Sequence, residues 1–130
     1  MARKERPMLR QDYVMRLISE MVRTLLRLIF QIDMNSPAAD LLENDEEQET
    51  LQRLLRLIDN GEINEAENQI YQMTEDAQQK ELKLALIFYA YLNEKSDEYL
   101  EQHNFSREEI KFGLKNIMER YEIHGFEEMF

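Results

Sequence analysis

Leu84-Ala85-Leu86-Ile87-Phe88-Tyr89-Ala90-Tyr91-Leu92 is a run of nine consecutive apolar or aromatic residues. A helix that is apolar on every side is enclosed by other elements and not laid on a surface. The run therefore predicts a central helix over about 78–94, and the rest of the chain has to supply its cover. That cover is helical, because three Gly and two Pro in 130 residues are too few for a β-rich chain, which would need turn residues roughly every 8–12 positions. The expected class is all-α, in a single domain of five to six helices. A chain of this length can bury roughly two-thirds of its unfolded surface in one core.

The first part of the cover lies at the other end of the chain. Val14, Leu17, Ile18, Met21, Val22, Leu25, Leu28, Ile29 and Ile32 recur at three- and four-residue steps, the period of a long amphipathic helix over about 9–32. Their stripe is wider than the roughly 100° of an ordinary surface helix, so it must be buried inside the fold or between subunits. Arg16, Glu20, Arg23 and Arg27 occupy the opposite face. Residues 1–27 carry seven Lys/Arg against three Asp/Glu, a net +4 in a chain of −11, so residues 28–130 carry −15. This asymmetry suggests that the first helix meets acidic surface, its own or a partner's. Residues 1–8, ahead of it, are expected as a disordered basic leader.

Between these two helices the pattern breaks. Residues 33–49 read as an acidic linker holding a short helix, from Ser36-Pro37 through Leu41-Leu42, because Ser then Pro marks a helix start. A helix over about 47–59 presents Leu51, Leu54, Leu55 and Ile58 and stops at Asn60-Gly61, Gly being favoured just past a helix end. Another, over about 63–74, presents Ala66, Ile70 and Met73. The short connection makes the pair an antiparallel hairpin. Beyond the central helix, Ser96 caps a short helix to about Gln102. Ser106-Arg107-Glu108-Glu109 has the form of a capping box and opens a last helix to about Glu122, with Ile110, Leu114, Ile117, Met118 and Tyr121 inward. His124-Gly125 is expected to end it, and Phe126, Met129 and Phe130 form an apolar tail.

Several function classes lose ground on composition. No Cys means no disulfide framework and no thiolate metal site. The basic start lacks an apolar signal-peptide core, since Arg16, Arg23 and Arg27 interrupt it, and no run reaches the roughly 20 apolar residues of a membrane span. The expected location is the cytoplasm. A net −11 opposes nucleic-acid phosphates. His103 and His124 have Leu100 and Tyr121 three positions before them, where a helical di-iron site needs Glu. Asp59-Asn60-Gly61 does not continue into an EF-hand loop, and no phosphate loop or nucleophile triad can be assembled. No metal, cofactor or catalytic residue is expected.

Gly61-Glu62-Ile63-Asn64-Glu65-Ala66, with Ile70 four residues on, resembles the second half of a tetratricopeptide repeat. Thr50, Leu54 and Leu57 stand where that repeat expects Trp, Gly and Tyr, and no second copy is evident. Three stretches, Asp12-Tyr13-Val14-Met15-Arg16, Gly61 through Glu67, and Phe105 through Ile110 with Gly113-Leu114, together resemble a family of short all-helical bacterial proteins of unknown function. The resemblance spans nearly the whole chain and implies a helical cytosolic protein with no active site to transfer.

Two sets of residues are candidates for function. Leu17, Met21, Leu25 and Leu28 with Arg16, Arg23 and Arg27 form a candidate interface for a non-enzymatic protein-interaction or scaffolding module, expected to be a homodimer. Tyr89, Tyr91, His103 and Glu109 form a candidate pocket between the central and last helices, for a small-molecule binder or enzyme. Aromatics in an apolar helix are more often core than ligand site. Attachment to an anionic membrane through the first helix is a third reading, opposed by the −15 of the remaining chain.

Overall fold

The computed structural model describes the backbone of residues 2–32 and 44–126, and the side chains of 12–32 and 44–126. Its elements are α1 (Ala2–Phe30), α2 (Asp45–Asp59), α3 (Ile63–Met73), α4 (Gln79–Asn93), α5 (Asp97–Gln102) and α6 (Arg107–Arg120). Six helices and no strand among the described residues make this an all-α domain. The chain expected as a leader over 1–8 is helical from Ala2. Ala2, Arg3, Lys4, Glu5 and Arg6 are favourable helix formers. The short helix expected at Ser36–Leu42 falls outside the described residues. The acidic stretch that follows is the first turn of α2, where Asn44 caps by accepting the Glu47 N–H at 2.8 Å, and Asp45, Glu46 and Glu47 face the positive end of the helix dipole.

α4 is the centre. It packs against α1, α2 and α6, and every residue from Leu82 through Tyr89 is buried, as are Leu92 and Asn93. Surrounded on most sides, it has no face for charged residues over the nine-residue run, which carries none. Its first turns bury a lysine all the same: the Lys83 Nζ sits 3.9 Å from Glu47 Oε2 and 5.9 Å from the centroid of the Phe30 ring. α1 contributes Val14, Ile18, Met21, Val22, Leu25 and Leu26 to the common core, and α6 contributes Ile110, Leu114, Ile117 and Met118. The hairpin α2–α3 covers the remaining side through Leu54, Ile58, Ile63, Ala66 and Ile70.

Local signals mark most helix ends. Ser96 accepts the Tyr99 N–H at 3.0 Å and Ser106 the Glu109 N–H at 3.2 Å, as their positions predict. Three C-termini close alike: Gly61, Asn104 and Glu122 adopt left-handed backbone, and the next N–H reaches the carbonyl five residues back, Glu62 to Leu57, Phe105 to Leu100 and Ile123 to Met118. Glu122 takes this position at the end of α6, so His124-Gly125 lies beyond the helix and does not terminate it. Phe126 packs partly on the core, whereas Met129 and Phe130 are outside the described residues.

Candidate functional site

Tyr89 and Tyr91 are two residues apart on α4, and about 200° of helix separates them. They cannot line one pocket, and the four candidate pocket residues divide between two clusters. Tyr89 is fully buried and donates its hydroxyl to Glu67 Oε2 at 2.8 Å. Gly113 of α6 makes this possible, because a Cβ there would lie 2.3 Å from Glu67 Oε2 and 2.5 Å from the Tyr89 hydroxyl oxygen. Glu67, Tyr71 and Thr74 form one edge of α3 and meet Gly113, Asn116 and Arg120 of α6. Asn116 Nδ2 donates to the Tyr71 hydroxyl at 3.3 Å, and Arg120 donates to the Tyr71 carbonyl at 2.6 Å and to Thr74 Oγ1 at 2.8 Å. Glu109 stays exposed at the start of α6.

Burial raises the Glu67 carboxyl above its ordinary 4.5; the Tyr89 hydroxyl opposes the rise and the Glu109 charge adds to it. Burial also drives the Tyr89 hydroxyl well above 10, so it remains a proton donor at neutral pH. A folded value above the unfolded one means that ionising Glu67 costs stability. The group's contribution is full below about pH 4.5 and is lost as pH rises through the folded value. Glu67→Gln keeps an acceptor for Tyr89 and has no charge to desolvate. Its melting temperature relative to wild type is therefore expected to climb from about pH 4 to pH 7, and a pH-independent difference would contradict the assignment.

The second cluster gathers Tyr91 and His103 with three residues that sequence reasoning did not single out, Asp59, Lys95 and Tyr99. Asp59 closes α2, Tyr91 is on the last turn of α4, Lys95 follows α4, and Tyr99 and His103 belong to α5 and its cap. Lys95 Nζ donates to Asp59 Oδ1 at 2.7 Å, and the Tyr91 hydroxyl donates to the same carboxylate at 2.8 and 3.0 Å. The Lys95 hydrogen bond holds Asp59 below its usual range, and the Asp59 bond in turn raises Lys95 and Tyr91. The Tyr99 hydroxyl donates to the Ile58 carbonyl. His103 Nδ1 lies 2.8 Å from the Tyr99 carbonyl oxygen, so that nitrogen carries the proton, and its ring stacks obliquely on Tyr99 at 4.3 Å.

Gly61 is required for two reasons, and the His103 ring is one of them. Its φ is +83°, and a Cβ would meet His103 Cδ2 at 2.3 Å and Nε2 at 2.5 Å. Gly61→Ala is expected to lose roughly 2–3 kcal/mol by urea unfolding, from left-handed strain and overpacking together. In a His103→Ala background the loss should fall to about 1 kcal/mol, the strain alone. Equal losses in both backgrounds would mean that the ring is not seated on the turn.

The interface residues also divide. Met21 and Leu25 are fully buried in the chain's own core, because α4 and α6 occupy that side of α1, so they cannot form an exposed stripe. Leu17 is half-buried, Leu28 is 67% exposed, and Arg16, Arg23 and Arg27 are exposed. Among the described residues no three His, Asp or Glu side chains are grouped to hold a metal ion, and no helix is long and apolar enough to cross a membrane.

The family model of DUF6483, described as a family of unknown function, matches residues 8–122. No curated protein matches the chain, and no solved structure does.

Proposed function

We propose that this chain, which belongs to the DUF6483 family of unknown function, is a protein-interaction module that docks through the outer face of α1, with a second copy of itself as the partner. The observation that carries the reading is the company kept by the exposed apolar residues of α1. Tyr13 and Leu28 are 61% and 67% exposed, and at 100° per residue they share an arc of about 60° with Leu17 and Thr24. Arg16, Arg23 and Arg27 fall in a neighbouring arc of about 40°. None of the three makes an ion pair with another described residue.

A second copy fits because the rest of the chain is acidic. The hairpin α2–α3 and the turn after it expose Glu46, Glu49, Glu62, Glu65 and Glu75 against Arg53 and Arg56, a surface whose net sign is opposite to that of the arginine face. Complementary charge of this kind sets orientation and association rate, while apolar contact supplies most of the affinity. In light scattering coupled to size exclusion, the wild type is expected to run at twice the 15.8 kDa chain mass at low salt. Arg16→Glu, Arg23→Glu and Arg27→Glu combined should give monomer with unchanged helicity. A wild-type monomer at every protein concentration would overturn self-association, and a dimeric triple variant would remove the arginine face from it.

A further inference from the structure

Lys95 sits between two aromatic rings and a carboxylate. Its Nζ is 5.0 Å from the centroid of the Tyr91 ring and 5.1 Å from that of Tyr99, with Asp59 Oδ1 at 2.7 Å. Both distances lie within the roughly 6 Å over which a ring face attracts a cation. Two faces and an anion around one ammonium are the parts of a cation-recognition cage, here occupied from within the chain.

We propose that Asp59, Tyr91 and Tyr99 form a binding cage for an alkylated ammonium group, closed by Lys95 as an intramolecular occupant that a competing ligand displaces. The walls have partners other than Lys95. Tyr91 is held by its hydroxyl on Asp59, and Tyr99 by its hydroxyl on the Ile58 carbonyl and by the His103 ring tilted against it. The occupant, by contrast, is a flexible side chain on the connection between α4 and α5. The mouth is open to solvent, since the Lys95 side chain is 25% exposed and that of Asp59 47%. Methyl groups on the ligand nitrogen favour it over Lys95, because they lower its hydration cost and contact both ring faces.

Tetramethylammonium chloride tests this directly, against sodium chloride at equal ionic strength, with the ring-proton resonances of Tyr91 and Tyr99 as readout. Lys95→Ala and Lys95→Ser empty the cage, and either is expected to saturate at a concentration about tenfold or more below that needed for wild type. Adding Tyr99→Leu to either should abolish the shifts. A trimethyllysine peptide binding more tightly than tetramethylammonium would assign the ligand to a modified protein tail, and equal affinity to a free quaternary ammonium. Shifts in the Lys95 variants no larger than those of wild type, or than those in sodium chloride, overturn the proposal. Loss of the fold in both variants also overturns it, by making Lys95 a structural strut.

Discussion

Met21→Asp is expected to abolish the folded state, whereas Leu28→Asp, two helical turns further along α1, is expected to leave it in place. Met21 is fully buried among the side chains of α1, α4 and α6, and the change removes an apolar side chain worth roughly 2–5 kcal/mol in the core. It also puts a carboxyl where no water or partner reaches it, a further cost of several kcal/mol. Together these fall within the roughly 5–15 kcal/mol that holds a domain folded. Leu28 is mostly in water, so its replacement should change stability by no more than about 0.5 kcal/mol. Circular dichroism at 222 nm with a thermal melt separates the two. A cooperative melt for Met21→Asp near the wild-type temperature would mean that α1 is not packed on α4 as described.

The second large effect is at Arg107. Its side chain is only 3% exposed, and its guanidinium donates to the Asn93 carbonyl and, at 3.3 Å, to Asn93 Oδ1. It also donates to the Lys95 carbonyl at 2.9 Å and to Asp97 Oδ1 at 2.6 Å. Asn93 in turn donates its side-chain N–H to the Met15 carbonyl at 2.8 Å. One arginine thus binds the start of α6 to the end of α4, and through Asn93 to α1. Arg107→Met fills a similar volume but leaves buried acceptors without donors, and a loss of roughly 3–5 kcal/mol in urea unfolding is expected. Arg107→Lys should recover only part of this, because a point ammonium cannot reach several acceptors held in a fork. Full stability in Arg107→Lys would show that charge alone, and not the fork, makes the junction.

Much of the fold was legible because it is written in local spacing. The Leu51, Leu54, Ile58 step and the Ile110, Leu114, Ile117 step predict helices whose buried faces the structure reproduces. Ser96, Ser106 and Gly61 act on backbone groups within a few residues of themselves, so their roles as caps and turn could be read from neighbours alone. The all-apolar run of α4 signalled enclosure for the same reason: a helix must bury whatever apolar face it has.

The sites were less legible. Sequence patterning shows that α1 has a wide apolar stripe, but whether that stripe meets α4 of its own chain or another subunit depends on where other helices lie. Met21 and Leu25 went to the core, and Leu28 and Tyr13 did not. Arg107 carries no sign of burial in Ser106-Arg107-Glu108-Glu109, since the acceptors that hold it belong to Asn93, Lys95 and Asp97. Asp59 and Lys95 are 36 positions apart, and each looks like an ordinary surface charge until α2 and α4 are placed side by side.

By itself, then, the sequence determined an all-α domain, the positions of its helices and most of their ends, and which helix lies at the centre. Those properties come from hydrophobic period and capping, which act over about one or two turns. The tertiary structure alone decided which residues of α1 remain exposed and that Tyr89 and Tyr91 serve different clusters. It also decided that Lys95 lies between two rings and that Glu67 shares the space left by Gly113. Each of these depends on side chains distant in sequence meeting at a fixed distance, and packing of whole helices sets that distance.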